Sequence, residues 1–224
     1  MIKNYFFVIC LILPSLLGYS QNEKNEITQL YNELATPDSK PDYKVFEYAL
    51  LGYLKLERDS SLGNKNLLTI IDFSLSANKK RLWVIDIKNK VVIHHTLVAH
   101  GKKTGEEFAK KFSNIKESHM SSLGFYVTQN TYFGKHGLSL ILEGVEDGFN
   151  NNAKERAIVI HGAKYVSRDF IKNYGRLGRS FGCPALSLEK AKVIIPKLSG
   201  KTCLFIYFPD ENYLKKSKLI NEIN

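Results

Sequence analysis

Ile158-Val159-Ile160-His161-Gly162-Ala163 and, further along, Gly178-Arg179-Ser180-Phe181-Gly182-Cys183-Pro184 are the stretches on which the reading of this chain turns. The first is a β-branched run, with strand composition, that ends on a histidine. The second is a Ser-x-Gly-Cys turn. Together they offer the base and the nucleophile that thiol chemistry requires. Cysteine reacts as the thiolate, and its unperturbed pKa of about 8.5 calls for a neighbouring imidazole or a positive field. His161 is the candidate for the first, Arg176 and Arg179 for the second. Gly182 allows a close approach of backbone to a substrate carbonyl, and Pro184 has no N–H to give. The amides of Gly182 and Cys183 are therefore the expected donors to a developing oxyanion. A backbone carbonyl or a hydroxyl must orient His161, and Ser180 is the nearest candidate in sequence.

Working outward, further apolar runs read as strands: 67–73, 82–87, 91–99, 125–128, 138–142, 157–161 and 202–208. Lys88-Asn89-Lys90 reads as a hairpin turn. Cys203 lies inside the last run and reads as core, its thiol silenced by burial. A helix is expected from Leu188 to about Ile195, with Ser187 as N-cap and Pro196 ending or kinking it. Residues 21–65 carry a helical pattern, with Phe46, Ala49, Leu50 and Tyr53 at i, i+3, i+4 and i+7 after the breakers Pro37 and Pro41. The fold class is thus mainly β with a few helices (α+β).

At the N-terminus, Lys3 precedes an apolar run from Tyr5 to Leu17, and Gly18-Tyr19-Ser20 stands before polar Gln21. The run is too short to span roughly 30 Å of hydrocarbon, so residues 1–20 read as a cleaved signal peptide rather than an anchor, and the mature chain as periplasmic. Cleavage would remove Cys10. A disulfide between Cys183 and Cys203 is the minor alternative in an oxidising compartment. The net charge of +10 suits anionic envelope polymers or lipid surfaces, while no RNP or helix-turn-helix pattern supports nucleic acid. Residues 211–224, with Lys215-Lys216-Ser217-Lys218, read as a basic, solvated tail.

His119 and His136 each sit in a Gly- or Ser-rich, turn-like context where binding residues concentrate, although loop histidines are mostly solvated. With His100 and His161 they form the raw material of a metal site. No two histidines stand at i, i+4 or in an H-E-x-x-H helix, so no metal and no cofactor is expected.

Four elements in order carry a resemblance to a known family. They are Arg81–Ile87 followed by Val91–Gly101, Ser121-Ser122-Leu123-Gly124-Phe125-Tyr126-Val127, His161-Gly162, and Ser180-x-Gly182-Cys183. From Leu67 to Asp210 the chain resembles the murein L,D-transpeptidase catalytic-domain family, the cysteine enzymes that remodel peptidoglycan stem peptides, and in particular a branch common in Bacteroidetes-type envelopes. The resemblance implies a β-sandwich or open barrel over residues 66–210 behind a helical lead-in over 21–65. It implies Cys183 as nucleophile and His161 as proton carrier, with Gly182 and Ser180 in the catalytic motif. Gly162, His119 and His136 would face substrate. Peptidoglycan stem peptides would be the partners, acyl transfer through a cysteine thioester the reaction, and a carbapenem adduct a consequence. Hydrolysis of the same stems, as an L,D-carboxypeptidase, is the alternative, and a noncatalytic wall-binding protein the reading from a different class. The chain departs from the family at Phe181, where a histidine is common, at Ala185, where an arginine is usual, and in a longer stretch between His161 and Ser180. Arg176 or Arg179 is the substitute for that arginine suggested by charge and proximity.

Overall fold

Two apolar runs far apart in sequence form the middle of one sheet. In a computed structural model, which describes residues 13–221, Leu67–Asp72 (β1) lies parallel to Cys203–Tyr207 (β8), and every residue of both strands is buried. Strands covered on both faces cannot alternate polar and apolar residues, which is why both read as continuous hydrophobic runs. Leu82–Asp86 (β2) and Val91–Thr96 (β3) extend the sheet on one side as a hairpin around Lys88–Lys90. Gly124–Gly134 (β4), Gly137–Gly144 (β5), Val159–Gly162 (β6) and Ala185–Leu186 (β7) extend it on the other. The order is β3-β2-β1-β8-β4-β5-β6-β7. The two ends then meet: Ala99 bridges Ala185 and Gly101 bridges Ser180, so the sheet curls toward closure. Among the described residues there are six helices around this sheet, and the α+β class with a nearly closed sheet stands.

Tyr43–Arg58 (α2) begins where the Asp42 side chain accepts from Lys44 N, and it buries the predicted face of Phe46, Ala49, Leu50 and Tyr53. Its Gly52 leaves room for the sheet, because a Cβ there would come within 2.2 Å of the Phe125 ring. The preceding helix, Leu13–Glu33 (α1), docks on α2 through Tyr31, whose ring meets Tyr43 edge-on at 5.2 Å. The expected cut after Ser20 falls inside α1, whereas residues 1–12, with much of the apolar run, lie outside the described residues. Among the described residues no helix is long and apolar enough to cross a membrane.

Several expectations need correction. The helix Leu188–Leu198 (α4) starts at Ser187, whose hydroxyl accepts from Lys190 N, but it runs through Pro196 and stops only at Ser199. β4 continues past Thr128 to Gly134 with an irregularity between Thr128 and Thr131. β3 ends at Thr96, because residues 97–101 leave the hairpin to bridge the far edge. A short helix, Arg168–Tyr174 (α3), fills the long stretch after His161, N-capped by Ser167.

The C-terminal segment is not simply a solvated tail. Glu211–Lys216 (α5) and Lys218–Asn221 (α6) turn Lys215 and Lys216 outward while burying Tyr213, Ser217 and Ile220. Tyr213 meets Phe149 edge-on at 5.0 Å and donates to Glu146 at 2.9 Å, and Ser217 donates to the same carboxylate. Glu146 also accepts from Phe125 N at 2.8 Å, so a buried acid ties the last helices to β4. Tyr213→Ala should therefore cost about 3–5 kcal/mol through the cavity, and Tyr213→Phe about 1–2 kcal/mol through the lost hydrogen bond. Urea unfolding midpoints measure both; equal midpoints for the wild type and Tyr213→Ala would show that this anchor contributes nothing.

Candidate active site

The site forms where β6 and β7 run side by side. His161 pairs with Ala185 and Gly162 with Leu186, which brings the turn holding Cys183 against the start of β6. The sulfur of Cys183 accepts from Val159 N–H at 3.5 Å and points its proton at the Ala157 carbonyl, 3.7 Å away. Burial pushes the thiol up from its ordinary value; the Val159 amide and the charge of Arg156 pull the other way. Cys183 is partly accessible and Cys203 fully buried, and both are free thiols, so the two are not joined in a disulfide.

His161 is buried, and its Nδ1 lies 3.0 Å from the Gly162 carbonyl oxygen. A carbonyl can only accept, so Nδ1 carries the hydrogen and Nε2 keeps the lone pair of a base. Burial lowers the pKa of His161, more than the Gly162 hydrogen bond raises it, and keeps the ring neutral. The ring of His136, from the β4–β5 turn, stacks on His161 with centroids 4.4 Å apart. Beyond it lies a groove of ≈ 440 Å³ walled by Phe133, Leu138, Leu188 and Ala191, with Lys192 at its rim. Among the described residues no hydrogen bond links His161 to the sulfur; each has the other partners just given.

The turn itself is tightly specified. Gly182 sits at φ +128°, and a Cβ would lie 2.8 Å from the Met120 carbonyl oxygen, so only glycine fits. Ser180 does not orient His161. Its hydroxyl donates to the Cys183 carbonyl at 2.6 Å and accepts from Gly182 N at 3.1 Å, locking the turn from inside. The Gly182 amide, one of the two expected oxyanion donors, is thereby engaged, while the Cys183 amide lies against its own sulfur. His119 lies against the exposed Phe181 ring at 4.6 Å.

Arg176 and Arg179 are not gathered at the thiol. Both bind Glu106, at 2.8 and 2.6 Å, and Arg179 also donates to the Lys102 and Gly105 carbonyls at 3.0 Å, on the side of the turn away from β6. The cation felt by Cys183 is Arg156, which sequence reasoning missed. A second missed neighbour is Tyr165, whose hydroxyl is pushed up to about 12 by burial and by the proximity of Cys183. Each is an ordinary residue beside the His161 stretch, and only the folded turn gives it meaning.

Nor do the four histidines assemble. His100 is buried against Arg81, His119 rests on Phe181, and among the described residues no three His, Cys, Asp or Glu side chains are grouped as metal ligands.

Set against known proteins, residues 37–207 match the family model described as L,D-transpeptidase catalytic domain. No curated protein matches the chain. Among solved structures, the chain is similar to an L,D-transpeptidase from Mycobacterium smegmatis, with 14% identity and a TM-score of 0.39 over 64% of this chain and 59% of that one. It is similar to an LD transpeptidase in complex with imipenem, with 13% identity and a TM-score of 0.38 over 63% and 59%. A helical cell shape determining protein from Campylobacter jejuni gives 12% identity and a TM-score of 0.43 over 67% and 54%. The chain spans less than two thirds of the length of each of these three.

Behind the turn, Arg81 is fully buried and donates to His100 Nδ1 at 2.8 Å; His100 Nε2 in turn donates to the Gly105 carbonyl at 3.2 Å, and the His100 carbonyl accepts from Ser180 N at 3.0 Å. Burial, reinforced by Arg81, pushes His100 down to about 4. Because the folded value lies below the unfolded one, this stability is complete above about pH 6.5 and is lost as pH falls toward 4, on the order of 3 kcal/mol in all. His100→Gln, which keeps an acceptor and a donor but cannot titrate, should flatten stability between pH 6.5 and 4. Denaturant melts across that range in both proteins test this, and identical slopes would remove His100 from the acid response.

Proposed function

The chain belongs to the L,D-transpeptidase catalytic domain family, and from that premise we propose that it transfers acyl groups of peptidoglycan stem peptides through a thioester on Cys183. The observation that carries this reading is the juxtaposition of a solvent-reachable thiol with a neutral, backbone-oriented imidazole across the β6–β7 ladder.

Cys183 Sγ attacks the carbonyl that precedes the terminal D-amino acid of a stem. The C–S bond forms, the peptide C–N bond breaks, and the thiol proton passes through His161 Nε2 to the departing amine. In the second half the amine of another stem attacks the thioester; its C–N bond forms as C–S breaks, and the proton returns to the sulfur. Water in place of that amine gives hydrolysis. With the thiol raised and the imidazole lowered, both partners rest neutral, and proton transfer accompanies attack instead of preceding it. The hydrogen bond between them forms when substrate occupies the cleft, as catalytic contacts commonly tighten on binding. The Cys183 amide stabilises the oxyanion, and the apolar groove beside His136 receives part of the stem. On this reading the enzyme, of a Bacteroidetes-type branch, works in the periplasm after loss of residues 1–20, and Arg176 and Arg179 could reach a stem carboxylate only by exchanging Glu106 for it.

Incubation with defined tetrapeptide muropeptides should yield cross-linked or trimmed products by mass, abolished in Cys183→Ala, whereas Cys203→Ala loses only stability. A carbapenem, whose strained ring is an acyl donor without a leaving group, should add its whole mass to the wild type and none to Cys183→Ala. An active Cys183→Ala would end the proposal. For pH, kcat/KM should stay level across neutrality and fall only below the ordinary imidazole value of 6.5, because the base limb follows the depressed pKa of His161. An acid limb centred above pH 7 would contradict the neutral pair.

A further inference from the structure

Arg156 has no part in the sequence motifs, yet it is the best-connected cation near the nucleophile. One terminal nitrogen donates to the Ser113 carbonyl at 2.8 Å and to the Ser122 hydroxyl; the other donates to the Ser118 hydroxyl at 3.1 Å and the Met120 carbonyl at 2.7 Å. All four acceptors lie on one loop, 113–122. That loop closes over the nucleophile turn: Ser121 Oγ donates to the Gly182 carbonyl at 3.0 Å, the Met120 carbonyl fills the space a Gly182 side chain would need, and His119 backs Phe181. From its other side, the segment of Arg156 holds the sulfur itself, through the Ala157 carbonyl and the Val159 amide.

The charge of this arginine is unbalanced. Its Nε is buried without a partner, burial lowers its pKa, and among the described residues no carboxylate forms a salt bridge with it. Arg156 is half buried, and a partly desolvated cation without a counter-ion carries a cost that is offset when an anion forms beside it. The groups whose charge acts on Arg156 are Tyr126 and Cys183, and Tyr126 is a fully buried phenol held neutral. Around Cys183 the other titratable neighbours are His161 on β6, with His136 stacked behind it, Tyr165 on the loop after β6, and His119 behind Phe181.

We propose that Arg156 is the positioning residue of the nucleophile, its guanidinium clamping the 113–122 loop over the Cys183 turn while supplying the positive charge against which the thiolate forms. This rests on Cys183 being the nucleophile, but its test does not depend on turnover. The rate of Cys183 alkylation by iodoacetamide, followed by peptide mass in the full chain, gives the apparent midpoint of thiolate formation as pH is varied. Arg156→Met should raise that midpoint by at least one pH unit, a tenfold loss of thiolate at fixed pH. Arg156→Lys keeps the charge but cannot bridge four acceptors. Its midpoint should stay near that of the wild type while hydrogen exchange in 113–122 accelerates. An unchanged midpoint in Arg156→Met overturns the charge role, and unchanged exchange in both variants overturns the clamp. If Arg156→Met does not fold, Arg156→Lys decides alone, since a midpoint shifted by a unit or unaltered exchange overturns the corresponding half. Normal alkylation behaviour with no muropeptide turnover would instead count against the transpeptidase reading and leave Arg156 in place.

Discussion

The closure of the sheet on Ala185 is the constraint from which the site follows. This residue pairs with His161 on one side and exchanges two backbone hydrogen bonds with Ala99 on the other, at 2.9 and 3.3 Å. It is fully buried, in a small apolar cluster with Ala99, Ala163, Val166 and Leu177. Because it belongs to both edges of the curled sheet, the two residues before it have little freedom. Cys183 and Pro184 must cross from the turn into the ladder within one short step, and the thiol is delivered to β6 by backbone geometry, with no side-chain bond to His161 required.

The same constraint accounts for where the charges lie. An arginine in place of Ala185 would have to displace the buried apolar side chains packed around it. The charge of Arg156, in the segment that holds the sulfur, acts on Cys183, while Arg176 and Arg179 are drawn to Glu106 and to carbonyls of the 102–105 loop. Charge close in sequence is a poor guide here, because the turn at Ser180–Cys183 puts Arg179 and the sulfur on different faces.

What the sequence made legible follows the strength of each local pattern. The continuous apolar strands, the amphipathic face of α2 and the Ser187 cap of α4 are local features, and each reappears within a few residues of where composition puts it. Cys183 and His161 stood out in the sequence by residue type and context, and the β6–β7 pairing brings their segments together. The two-residue β7 was not legible, because its pairing is entirely long-range, and neither was α4 running through Pro196, where tertiary packing of Ile194, Ile195 and Leu198 overrides the breaker. The C-terminal helices escaped for the opposite reason: their lysines announce solvent, while a single aromatic, Tyr213, fixes the segment to a buried acid.

Burial sets the chemical character of the site. In water a thiol and an imidazole already favour their neutral forms, because the ordinary thiol value lies above that of imidazole, and here desolvation opposes charge on both partners further. The Val159 amide and Arg156 counter only part of that on the sulfur side. Ser180, Gly182 and Met120 meanwhile hold the turn closely through backbone and hydroxyl contacts. Under the proposed mechanism, a closely packed turn with a thiol that burial disfavours as an anion would reserve its reactivity for a bound acyl donor.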